Sequence, residues 1–102
     1  MHELSGKQKR FLCRRAGGLN AAVSIGKAGV SEATVERIRQ LLEAHELVKL
    51  RLPAGLGRER KQMAERLAEA AAAACVEILG RTVLLYRPSR RLGEDERIVL
   101  PQ

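Results

Sequence analysis

The run Ala21-Ala22-Val23-Ser24-Ile25-Gly26-Lys27-Ala28-Gly29-Val30-Ser31-Glu32 decides how this chain is organised. Ala21–Ile25 is a short apolar stretch that stops at glycine, the pattern of a buried strand. Ser31 is a favourable N-cap, and Glu32 complements the positive end of a helix dipole. Val35, Ile38 and Leu42 then recur at helical spacing, which predicts a helix from about Ser31 to Ala44. A strand that passes through one glycine-bracketed turn into an amphipathic helix is the opening of an α/β unit.

The same reading extends downstream. Leu47–Leu52 alternates, with Val48, Leu50 and Leu52 on one face and Leu47, Lys49 and Arg51 on the other, so it predicts a strand with an apolar and a basic side. Pro53-Ala54-Gly55-Leu56-Gly57 is a loop. A third helix is predicted from about Arg58 to Ala74, with Met63, Leu67, Ala70 and Ala74 inward and the alanines of 70–74 supplying high propensity. Cys75–Leu79 and Thr82–Arg87 flank Gly80-Arg81, a two-residue connection that signals a type II′ hairpin. That register pairs Val76 with Leu85 and Ile78 with Val83 on one side, and Cys75 with Tyr86, Glu77 with Leu84 and Leu79 with Thr82 on the other.

Upstream, Ser5 and Gln8 fit a capping box for a first helix from about Gly6 to Ala16. The Gly17-Gly18 pair offers it a left-handed end. Leu12, Ala16 and Leu19, with Phe11 beside them, form its inner stripe, and Lys7, Arg10 and Arg14 form a basic stripe elsewhere. The expected order is therefore α-β-α-β-α-β-β, a single α/β domain with a mixed four-stranded sheet packed with helices. Strands joined through helices should run parallel and the final hairpin antiparallel. Residues 1–88 are assigned to this domain and 89–102 to a polar, flexible tail, within which Ile98-Val99-Leu100 is apolar enough to dock.

The chain has 102 residues and a net charge of +7, unevenly spread. Residues 1–30 hold six basic side chains and one acid, residues 31–80 eight of each, and residues 81–102 five basic and three acidic. A basic end on a balanced scaffold points to a polyanionic partner. The candidate contacts are Lys7, Lys9, Arg10 and Arg14 on the first helix and Gly26, Lys27, Ala28 and Gly29 in the loop. Lys49, Arg51, Arg81 and Arg87 extend the patch if the sheet gathers them. In the Gly26–Gly29 loop, glycine lets the backbone approach a phosphate, while the helix N-terminus and Lys27 attract it. An ordinary turn is the alternative; the surrounding charge favours the phosphate.

Several classes are excluded. Gly26-Lys27 is not a P-loop, because Ala28 replaces the Ser or Thr and Ala21 the first glycine. His2 and His45 have no partner at catalytic spacing, His45 reads as a helix-end residue, and the helical carboxylates read as solvated. Cys13 and Cys75 lack the neighbours of a zinc site and are expected to be free thiols. The expectation is a cytoplasmic, non-catalytic monomer with no cofactor, no metal and no membrane segment. Phe11 and Tyr86 are the only aromatic residues, too few for an RNA-stacking sheet, so contacts should run through backbone, groove and shape.

Four separated blocks carry a resemblance to a known family: Ser5–Leu12, Val23–Val30, His45–Leu50 and Leu79–Pro88. Together they resemble the CRM domain (chloroplast RNA splicing and ribosome maturation), in its stand-alone bacterial YhbY-like form. The resemblance implies an α/β RNA-binding fold similar to the C-terminal domain of a bacterial translation initiation factor, a GxxG loop used for RNA, and large-subunit ribosomal RNA or its precursor particle as partner. Where the family shows Ala-His-x-Leu and a proline before the first strand, this chain has Ala16-Gly17-Gly18-Leu19-Asn20-Ala21, so that histidine is absent. The rival reading is a protein–protein adaptor whose basic surface meets an acidic partner on the ribosome. Duplex DNA is a third candidate, without helix-turn-helix spacing to support it.

Overall fold

The computed structural model describes residues 3–102; Met1 and His2, and with them any reading of His2, lie outside the described residues. Three helices and four strands follow in the expected order: α1 (Gly6–Arg15), β1 (Val23–Ser24), α2 (Glu32–His45), β2 (Leu47–Arg51), α3 (Glu59–Ala70), β3 (Ala74–Leu79) and β4 (Thr82–Tyr86).

Local chemistry explains most of the boundaries. The Ser5 hydroxyl accepts from Gln8 N–H at 3.1 Å while the Ser5 N–H donates to Gln8 Oε1 at 3.0 Å, closing the capping box that starts α1. Ser31 caps α2, accepting from Thr34 N–H at 3.2 Å. The expected glycine cap of α1 is not used: Ala16 ends the helix in right-handed geometry, and neither Gly17 nor Gly18 has a positive φ. Leu19, expected on the inner stripe, lies beyond the helix and is exposed. α2 ends instead at Glu46, which is left-handed with φ 64°.

α3 stops four residues short of its expected end. Ala72 takes φ 54°, its N–H bonds Glu69 C=O at 3.1 Å, and the Ala73 N–H reaches Ala68 C=O at 2.8 Å. This is a Schellman ending with alanine where glycine is usual. Propensity favours continuing the helix through the alanines, but Ala74 is taken by β3. The last carbonyls find cations from elsewhere: Arg39 donates to Ala70 C=O and Arg87 to Ala71 C=O, both at 2.7 Å.

The sheet order is β1-β2-β4-β3, with β1 parallel to β2 and β4 antiparallel to both neighbours. β2 and β3, joined through α3, do run the same way, but β4 lies between them. Gly80 has φ 59° and Arg81 does not turn positive, as a type II′ hairpin requires. The register holds for Ile78–Val83, Glu77–Leu84 and Leu79–Thr82 and then changes: a bulge between Cys75 and Glu77 pairs Cys75 with Leu85 and Ala74 with Tyr86. The expected Val76–Leu85 and Cys75–Tyr86 pairs are therefore not formed, and Val76 turns to the opposite face.

Both faces are covered, unequally. Against the first, α2 and α3 bury Ile38, Leu42, Ala64 and Leu67 on Val48, Leu50, Val83 and Leu85. On the second, α1 packs Leu12 and Ala16 over Val76, Leu84 and Tyr86, joined by Ile98 and Leu100 from the C-terminal segment. That segment has no helix or strand, yet Gln8 Nε2 and Lys7 Nζ donate to the carbonyls of Pro101 and Gln102 at 3.0 and 3.3 Å. No helix among the described residues is long and apolar enough to cross a membrane.

Candidate nucleic-acid interface

β1, β2 and β3 share one direction, so the Gly26–Gly29 loop, the Pro53–Gly57 loop and the Gly80-Arg81 turn emerge at one end of the sheet. α1 packs over β3 on the second face. Its C-terminal part points to the same end: Cys13 Sγ donates to Glu77 Oε2 at 3.1 Å, and Ala16 and Gly17 border a cleft with Lys49, Leu79 and Thr82. Arg14 and Arg15 therefore stand near that end, while Lys7 is at the far end, where it bonds the C-terminal segment.

Between α1 and β1 the second face has no helix on it. Lys49 and Arg51 share that face with the buried Leu47, because residues two apart on a strand point the same way. Arg51 is exposed, and Lys49 Nζ donates to Leu19 C=O at 2.9 Å, leaving two of its protons unused there. Arg81 lies in the turn beside Thr82, the residue paired with Arg51, and bonds Leu52 C=O through Nε at 3.1 Å. The fold thus lays Arg15, which borders a cleft with Lys49, then Lys49, Arg51 and the Lys27 loop along one path across the open half of the sheet. Arg14 is exposed on the side of α1 away from the buried Leu12 and Ala16. Lys9 and Arg10 are exposed farther back along α1.

The two glycines of the loop differ physically. Gly29 has φ 73°, donates its N–H to Gly26 C=O at 2.9 Å, and stands so close to Met63 that a Cβ would meet Cε at 3.2 Å. The fold needs glycine there. Gly26 has no positive φ, and a Cβ there would meet nothing within 4 Å. Neither strain nor crowding calls for glycine at that position, and its backbone is open to an outside atom. Lys27 and Ala28 are exposed between them. The N-terminus of α2 is partly satisfied already by Ser31 and Glu32, so Lys27 and the loop backbone are the main attraction for an anion.

Arg87 belongs elsewhere. Its guanidinium bonds Ala71 C=O and Glu43 Oε1, the latter at 2.9 Å, bracing α3 and α2 at the opposite end of the sheet. Burial acts to raise the Glu43 pKa, but the Arg90 N–H bond and the Arg87 charge outweigh it and hold the carboxyl below the ordinary carboxylate range.

Composition and spacing did not single out Glu46, the most connected residue of this region. It is 1% exposed, and its carboxylate accepts from the N–H groups of Ser89 and Ile98, each at 2.6 Å. Its C=O accepts from Arg87 N–H at 2.9 Å. A glutamate directly after a helix in the left-handed conformation was the available signal, and only coordinates reveal it. Both cysteines are free. Partial burial and the Glu77 carboxylate push the Cys13 thiol up to about 11, so it is a poor nucleophile at neutral pH.

Fold and face together define a small α/β domain with basic groups gathered on one half of one sheet face. The chain belongs to the CRS1 / YhbY (CRM) domain family, whose model matches residues 4–87. It is 39% identical over 103 residues to a Haemophilus influenzae protein named RNA-binding protein, covering all of this chain and 99% of that one. It is 35% identical over 98 residues to "Probable RNA-binding protein YqeI" of Bacillus subtilis, covering 96% of this chain and 99% of the relative. The solution structure of SAV1595 from Staphylococcus aureus superposes with a TM-score of 0.81 at 34% identity, over 97% of this chain and all of the other.

Proposed function

We propose that this protein binds structured RNA through its phosphates, along the path from the end of α1 across Lys49 and Arg51 to the Gly26–Gly29 loop. The observation that carries the reading is the open half of the second sheet face, where basic residues from three separate elements line up. The names of its relatives support RNA as the polyanion. Lys7, Lys9 and Arg10 add longer-range attraction, and Arg81 extends the surface at the turn. Arg87 is left out of the contact set because its guanidinium is already occupied. The proposed target is large-subunit ribosomal RNA or its precursor particle, a choice supported by the family resemblance alone. In this reading the protein is non-catalytic and works as a monomer.

The test is RNA affinity as a function of salt. Lys27→Glu combined with Arg51→Glu should weaken binding at least about tenfold and reduce the log–log salt slope by about one to two. A folded double variant with unchanged affinity and slope overturns the assignment. Wild-type protein that binds no RNA even at low salt would direct the search to an acidic protein partner.

A further inference from the structure

A cleft of about 660 Å³ opens beside the basic path, at the edge of β2. It exists because β1 is only two residues long, so Leu47 and Val48, paired with β4 on one side, have no strand on the other. α2 forms one wall with Leu41 and Ala44, and the C-terminal segment forms another with Ile98, held in place by its N–H bond to Glu46. The floor is thus apolar, and the volume falls within the roughly 300–1,000 Å³ typical of small-ligand sites.

The rim has a different character. It carries Arg15, Asn20, His45 and Lys49, with Glu96 as the one acid lining the cleft. Arg15, Asn20 and His45 are exposed, and among the described residues the Asn20 amide makes no hydrogen bond. A guanidinium and an imidazole are the planar groups on which unstacked bases lie, and an amide has both the donors and the acceptor needed to read a base edge. Neither Phe11 nor Tyr86 lines the cleft: Tyr86 is buried in the cluster between α1 and the sheet, and Phe11 packs partly buried against it. Lys49 belongs to the cleft and to the phosphate path at once, so a backbone held on that path delivers its neighbouring base here.

We propose that the cleft takes one unpaired nucleotide of the bound RNA. Its base enters against the apolar floor, with His45 and Arg15 as stacking faces and Asn20 at the base edge, and its phosphate lies at Lys49. This rests on the RNA-binding reading above and adds to it a preference for RNA with a bulged or looped-out residue.

Two RNA hairpins separate the claims, one fully paired and one identical but for a single bulged 2-aminopurine. Wild-type protein should bind the bulged hairpin about tenfold more tightly and change the 2-aminopurine fluorescence on binding. His45→Ala, and Ala44→Leu as a variant that fills the cleft from an exposed position, should each abolish the preference while leaving affinity for the paired hairpin within about twofold. Equal wild-type affinity for the two hairpins, or a preference that survives both substitutions, overturns the cleft and leaves phosphate binding standing. Failure to bind either hairpin overturns both readings.

Discussion

The two faces of the sheet use the same strands for different ends. On the first, Val48, Leu50 and Leu52 are buried in the cluster that α2 and α3 form with the sheet, and Leu50 is fully buried. On the second, the intervening residues Leu47, Lys49 and Arg51 pass within one strand from buried to half-buried to exposed. The first face is core from end to end. The second is core beneath α1 and surface beyond it. A strand that alternates apolar with basic residues can close one face and still leave charge on the other, and the amount left open depends on how much of the sheet the helix covers.

The largest effect should come from testing that contrast on adjacent residues. Leu50→Ala should cost about 3–5 kcal/mol in denaturant unfolding, through lost burial and the cavity left behind. Arg51→Ala should change stability by no more than about 0.5 kcal/mol while weakening RNA binding. Comparable destabilisation by both would show that the second face is core throughout.

Next is Glu46, which ties the C-terminal segment to the covered part of the second face. Glu46→Ala removes the acceptor of one buried and one partly buried N–H group and should cost about 2–3 kcal/mol. Hydrogen exchange should show the amides of Ser89 and Ile98 losing protection before those of β2. Protection that stays unchanged would mean that apolar contacts of Ile98 and Leu100 hold the segment without the carboxylate.

The loop glycines sharpen the comparison at the sheet edge. Gly29→Ala should destabilise by about 1–2 kcal/mol, because alanine must take a left-handed conformation against Met63. Gly26→Ala should be close to neutral in thermal unfolding and should reduce RNA affinity, since only an approaching phosphate would meet the new methyl group. Equal effects of the two substitutions on stability would remove the case for an outside ligand at Gly26.

The smallest expected effect lies at the end of α3. Ala72→Gly relieves the left-handed strain of the Schellman ending and should stabilise the protein by about 0.5–1 kcal/mol, read as a rise in Tm. A loss of stability would mean that glycine's extra freedom in the unfolded chain outweighs the strain relieved.

Much of this molecule could be read residue by residue. The Ser5–Gln8 box, the Ser31 cap and the Val35–Ile38–Leu42 stripe are local signals, and each sits where local chemistry places it. Expectation and structure part where a distant element competes with a local preference. The alanines of 70–74 are good helix formers, yet β4 needs a partner there and α3 yields. The Val76–Leu85 pairing satisfied every local rule, but α1 required an apolar residue on the other face, and a bulge supplies Val76. Within the proposed site, Lys27 and its glycines were legible because loop and helix cap are contiguous. Glu46 and the His45 cleft were not, since the side-chain partners of Glu46 lie more than forty residues away and the cleft joins the stretch after α1 to the C-terminal segment.

By itself the sequence determined the element order, the family, the charge gradient and the glycine loop, all of which depend on neighbours along the chain. Tertiary structure alone decided that β4 lies between β2 and β3, that Arg87 braces helices while Arg51 faces solvent, and that the stretch after Pro88 lines a cleft. These depend on which surfaces remain once α1 has covered part of one face, a matter of packing area that spacing along the chain does not encode.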